Sequence, residues 1–211
     1  MNMKVLSQKL YDYAMIALFL LLVFLIGTYF PNDSVKDQIR QETINQIKKI
    51  GFFEPKVSNH STNEFIVSMQ KCIAFINLDL TKDQHIPTSL IIAQSIVESN
   101  FGTSRFAKEG NNLFGVRVWS KNGILPEKQH ESINWRVKTY STKCQSVRDY
   151  INILNNNHHY KEFRFLRNKT KDPMKLAETL DNFSTSKEYT NHVKQILIKY
   201  KGKLWLKLWL N

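Results

Sequence analysis

Cysteine is scarce in this 211-residue chain, which has only two, Cys72 and Cys144. That number excludes a disulfide-rich scaffold and any Cys-ligated zinc motif. It allows either one bridge in an oxidising compartment or two ordinary buried thiols. Acidic residues are also few: 18 Asp and Glu stand against 30 Lys and Arg, a net charge of +12. Such a balance suits an anionic partner, whether nucleic acid, acidic phospholipid or an acidic cell wall. A nucleic-acid motif is absent, however, and the basic residues are dispersed, so no nucleic-acid partner is expected. The adjacent His158 and His159 lack a carboxylate at ligand spacing and read as a solvated helix end. No metal or organic cofactor is expected. The length suits one well-buried domain with an appendage, and falls short of two full domains.

One segment lacks charge altogether. Ala14 to Phe30, AMIALFLLLVFLIGTYF, has neither a charged residue nor a proline. Tyr11, Tyr13 and Tyr29 flank it as aromatic anchors, and its length fits a hydrocarbon core of about 30 Å. Lys4 and Lys9 precede it, whereas Asp33 and Asp37 follow. The positive-inside rule therefore predicts a cytoplasmic N-terminus and an outward-facing remainder. No small-x-small cleavage site follows the run, so the expectation is an uncleaved, single-pass inner-membrane anchor. The domain then faces the periplasm or cell exterior. The predicted organisation is a cytoplasmic N-terminus (1–13), a transmembrane helix (14–30), a linker (31–46), a main domain (47–201) and a Trp/Leu/Lys tail (202–211).

Within the domain, Ser61 and Glu64 form a plausible capping box ahead of a helix bearing Phe65, Met69, Cys72, Ile73 and Ile76 on one face. The next helix is more unusual. Pro87 supplies a φ suited to a first helical turn, and Leu90 to Val97 is almost wholly apolar or small. Such a helix is buried on all sides. It ends at Glu98-Ser99-Asn100-Phe101-Gly102, with Gly102 as the expected stop. A carboxylate placed there meets desolvation and the negative end of the helix dipole, and both favour its protonated form. That is the condition a general acid requires. Asn111-Asn112-Leu113-Phe114-Gly115 follows, a loop with the composition of a polar cleft wall.

Pro87-Thr88-Ser89-Leu90, Ala93-Gln94-Ser95, Glu98-Ser99, Gly102-Thr103-Ser104 and Asn111-Asn112-Leu113-Phe114-Gly115 occur in that order and spacing. Together they resemble the signature of the bacterial endo-β-N-acetylglucosaminidase family, in its Bax-like branch. That branch is similar in turn to the glucosaminidase domain of flagellar rod-assembly proteins. The resemblance implies a mainly α, lysozyme-like helical domain that cleaves peptidoglycan glycan strands, with Glu98 as general acid. It also implies that Asn112, Phe114 and Tyr189 hold the sugar.

After the motif, Val116 to Trp119 alternates, Asn122-Gly123 is a hairpin signal, and Asn134 to Tyr140 alternates again. A small β-hairpin flap is expected here. Two acids lie on it, Glu127 and Glu131. Glycoside hydrolysis commonly uses two facing carboxylates, and the resemblance favours Glu131 as the second. The substrate's own acetamido group is an alternative. Val147, Tyr150, Ile151 and Leu154 then mark an amphipathic helix, and Asp172-Pro173 opens another. The tail Leu204 to Leu210 alternates strictly, which suits an extra strand or an interfacial patch. The expected function is peptidoglycan hydrolysis at N-acetylglucosamine β-1,4 linkages. A muramidase or lytic transglycosylase on the same fold, and a non-catalytic wall-binding scaffold, are the alternatives.

Overall fold

The computed structural model describes residues 3–29, 33–49, 53–126, 134–183 and 188–204. It divides into two compact units, Met1–Phe52 and Phe53–Asn211. The first holds two helices, α1 (Met3–Tyr29) and α2 (Asp33–Lys49). Apolar side chains of α1, including Phe19 and Phe24, are exposed. Among the described residues, no helix is long and apolar enough to cross a membrane. Phe30, the last residue of the expected span, lies outside the described residues.

The second unit is mainly helical with one small two-stranded antiparallel hairpin. Its first helix, α3 (Thr62–Asn77), starts where expected. Ser61 accepts from the backbone N–H of Glu64 at 3.1 Å. The Glu64 carboxylate turns instead to Ser58 at 2.8 Å, so only half of the capping box forms. Phe65, Met69, Cys72, Ile73 and Ile76 are all buried.

Helix α4 (Thr88–Ser99) is the centre of this unit. It packs against α3, against α8 (Pro173–Ala177) and most extensively against α9 (Tyr189–Lys199). Leu90, Ile91, Ile92 and Ala93 are completely buried, as the apolar run requires. Pro87 stands one residue ahead of the helix, and its carbonyl accepts the N–H groups of Leu90 and Ile91. Nor does Gly102 stop the helix. Asn100 does so, in the left-handed region at φ 47°, with Phe101 at 58° and Gly102 at 72° continuing the turn. Asparagine tolerates that conformation better than most residues. The Ser99 hydroxyl supports the turn, donating to the Ser95 carbonyl at 2.5 Å and accepting from the Gly102 N–H at 2.9 Å.

After the short α5 (Arg105–Glu109), strands β1 (Arg117–Val118) and β2 (Arg136–Val137) pair with Arg117 opposite Val137. Ile124 bridges to Val137 as well. A β-carbon at Gly123 would lie 2.6 Å from the Val137 carbonyl oxygen, so this approach requires glycine. Helix α6 (Lys143–Asn156) is capped by Thr142 and buries Val147, Tyr150, Ile151 and Leu154. A single turn, His158–Tyr160, leads to α7 (Lys161–Lys169); Asp172 then caps α8, with Pro173 in its first turn. The short α10 (Lys201–Leu204) follows α9. The Cys72 and Cys144 sulfurs are joined, tying α3 to α6 across 72 residues of sequence. Residues 205–211 of the alternating tail lie outside the described residues.

Candidate active site

Glu98 sits in the last turn of α4, partly buried. Burial pushes its carboxyl up to about 7, opposed by a hydrogen bond from the Tyr189 hydroxyl. It is therefore half-protonated near neutrality, whereas an exposed glutamic acid is almost fully ionised. The loop 111–115 approaches closely. A β-carbon at Gly115, whose φ is +64°, would stand 3.8 Å from Glu98 Oε2. The backbone thus reaches the carboxylate without a side chain covering it.

The side chains of this loop hold it in place. Asn112 is buried, and its amide is fully engaged by backbone. Oδ1 accepts from the N–H groups of Phe114 (3.1 Å) and Val116 (3.2 Å). Nδ2 donates to the carbonyls of Val116 (3.0 Å) and Lys138 (2.8 Å). An amide has two donor hydrogens and two acceptor lone pairs, so none remains for a sugar. Phe114 is buried and stacks on Tyr150, with ring centroids 4.0 Å apart and planes 3° from parallel. Asn112 thus braces the loop against the segment that follows β2, and Phe114 seats it on α6. Replacing Asn112 by Ala is expected to strand several buried backbone groups and cost roughly 3 kcal/mol, read as a lower unfolding midpoint in urea.

Tyr189, at the start of α9, is buried with its hydroxyl between Gln94 and Glu98. Burial and the neighbouring Glu98 raise its phenol far above the ordinary range, so it acts as a neutral donor. The expected second acids, Glu127 and Glu131, both lie outside the described residues. A cavity of about 540 Å³ elsewhere is lined by the end of α3, by the segment after β2 and by α6, including Asp79, Tyr140, Arg148 and Asp149, and does not include Glu98. Its charges are already paired, Arg148 with Asp79 and Lys138 with Asp149.

The family described as mannosyl-glycoprotein endo-β-N-acetylglucosaminidase, in short glucosaminidase, matches residues 76–202. The chain belongs to the glucosaminidase family. The match spans α4, the 111–115 loop, the hairpin and α9, and so includes Glu98, Gly115 and Tyr189. The chain is 25% identical to the exo-glucosaminidase LytG of Bacillus subtilis over 131 residues, covering 57% of this chain and 46% of LytG. It is 29% identical to protein Bax of Escherichia coli over 118 residues, covering 51% of this chain and 40% of Bax. The chain thus spans less than half the length of either relative. The glycoside hydrolase domain of FlgJ from Salmonella typhimurium shares the fold, with TM-score 0.51 at 18% identity, over 67% of this chain and 99% of that domain.

Two residues of this glucosaminidase-family site had no role in the sequence reading. Gln94 and Tyr150 are fully buried and hydrogen-bonded to each other. The signal was present for Gln94: an amide inside an apolar helix must find partners, because burying it without them is costly. Tyr150 carried only the periodicity of a core residue.

Proposed function

We propose that this chain is a peptidoglycan hydrolase that cleaves glycan strands at N-acetylglucosamine β-1,4 linkages, with Glu98 as general acid. The observation that carries the reading is a carboxyl held near 7 at the end of a buried helix, beside a glycine that leaves it uncovered. Protonated Glu98 donates its proton to the glycosidic oxygen as the C–O bond breaks. The resulting carboxylate is stabilised by the Tyr189 hydroxyl. The oxocarbenium-like centre is supported by Glu131, or by the substrate's acetamido oxygen, before water completes the hydrolysis. Tyr189 also places its ring at the edge of the sugar site.

The test is digestion of purified peptidoglycan, followed by identification of the new reducing ends. Reducing N-acetylglucosamine supports the reading; reducing N-acetylmuramic acid or anhydro ends overturn it in favour of a muramidase or a transglycosylase. LytG is described as an exo-enzyme, so product length decides the mode. Long fragments early in the digest mark an endo-enzyme, and steady release of short units marks an exo-enzyme. Activity is expected to fall above about pH 7, as Glu98 loses its proton. A fit of kcat against pH gives that limb directly.

We further propose attachment to the inner membrane through the N-terminal helix, with the domain on the outer face. The uncharged run Ala14 to Phe30, its exposed apolar side chains and the preceding Lys4 and Lys9 support this. So does the Cys72–Cys144 bridge, since such bridges persist in oxidising compartments. Release of the protein by alkaline carbonate, or resistance of the domain to protease added to spheroplasts, would contradict it.

A further inference from the structure

We propose that Gln94 and Tyr150 are positioning residues that set the direction of a hydrogen-bond chain ending on Glu98, so that Tyr189 donates to the carboxylate and cannot turn away. This rests on the reading of Glu98 as the general acid. Gln94 is completely buried, and both ends of its amide are engaged. Its Oε1 accepts from the Tyr150 hydroxyl, and its Nε2 donates to the Tyr189 hydroxyl oxygen at 3.0 Å. A phenol has a single hydroxyl hydrogen. With an amide hydrogen directed at the Tyr189 oxygen, that hydrogen goes to the other neighbour, Glu98.

Tyr150 supplies the donor at the other end of the amide. Its ring is clamped against Phe114, 4.0 Å away and nearly parallel, and the residue is fully buried. The hydroxyl is therefore held at Oε1, and by donating there it leaves Nε2 to face Tyr189. Were the amide reversed, its oxygen would face Tyr189 and capture the hydrogen that now serves Glu98. In the observed order the three donors, Tyr150, Gln94 and Tyr189, align head to tail toward the carboxylate, and each polarises the next. Such an arrangement stabilises the anion left after proton donation, which makes Glu98 the stronger acid.

The groups facing Glu98 can be enumerated by element. From α9 comes Tyr189, and from α6 comes Tyr150. From α4 itself comes the neutral Gln94, and from the loop the backbone of Gly115. Tyr160, in the turn after α6, acts on Tyr189 and Tyr150. Among the described residues no charged side chain is a cause of the Glu98 shift. The chain of neutral donors is therefore the controlling influence against burial.

The experiment uses the full-length protein and its Tyr150→Phe, Gln94→Glu and Glu98→Gln variants. Tyr150→Phe removes one oxygen and keeps the stacked ring. Gln94→Glu keeps the shape but, once ionised, accepts from both hydroxyls and draws the Tyr189 hydrogen away. Activity on peptidoglycan is recorded against pH, and the Glu98 carboxyl carbon is titrated by NMR. In both relay variants the alkaline limb and the NMR midpoint are expected to rise by about one pH unit, the size of effect a hydrogen bond to a carboxylate produces. We expect kcat to fall about tenfold with KM little changed. An unmoved midpoint in Tyr150→Phe and Gln94→Glu, with activity following only the folded fraction, would overturn the inference. Full activity in Glu98→Gln would overturn the underlying reading instead, so the two failures are distinguishable.

Discussion

Glu98→Gln is expected to lower peptidoglycan hydrolysis by roughly 10²–10⁴-fold, the usual contribution of a positioned proton donor. Glutamine keeps the shape and can still accept from Tyr189, but it has no proton to give. The measurement is the rate of reducing-end release at pH 6, where Glu98 is mostly protonated. The same variant is expected to be more stable than wild type in alkaline buffer. The folded-state value of about 7 lies above the ordinary 4.5. Folding therefore binds a proton between those values, and stability falls as pH rises through that window. By pH 8 the carboxyl is ionised and partly desolvated, at a cost on the order of 2–3 kcal/mol. The neutral glutamine avoids it. An activity loss joined to a higher unfolding temperature at pH 8, with little difference at pH 4.5, is the expected signature. Parallel loss of stability and activity would instead mean that Glu98 is a structural residue.

Loss of the Cys72–Cys144 bridge is expected to have the largest effect on stability. The linked residues are separated by 72 positions, and closing a loop of that size removes about 4 kcal/mol of unfolded-state entropy. Cys72→Ser combined with Cys144→Ser, or reduction under mild denaturation, should lower the unfolding midpoint by about 10 °C for a domain of this size. Differential scanning calorimetry with and without reductant measures it. A midpoint unchanged by reductant would mean that the bridge adds nothing to folding.

What the sequence revealed of this fold and site depended on the range of the interactions. The α4 helix was legible because its apolar run needs no knowledge of its neighbours, only the rule that such a helix is buried. Glu98 followed from its place at the end of that run. The caps at Ser61 and Asp172 are local chemistry and formed with their own helices. Asn112 and Phe114 were legible as special but not in their task. An amide and an aromatic in a glycine loop suit a sugar or a loop brace equally, and the bracing partners Lys138 and Tyr150 are distant in sequence. The cysteine pairing was equally out of reach, since it depends on the meeting of α3 and α6. Pro87 lies one residue from its expected place, and Asn100 takes the turn assigned to Gly102. Both are choices between adjacent residues that composition does not make.

The stacking of Phe114 on Tyr150 has a consequence for how damage to this molecule would present itself. The same ring that fills the core also aims the hydroxyl that orients Gln94. On this side of Glu98 there is no boundary between scaffold and machinery. A random search for substitutions that slow the chemistry would return interior positions on α4, α6 and the 111–115 loop. Their products would fold, while holding their acid at the wrong strength.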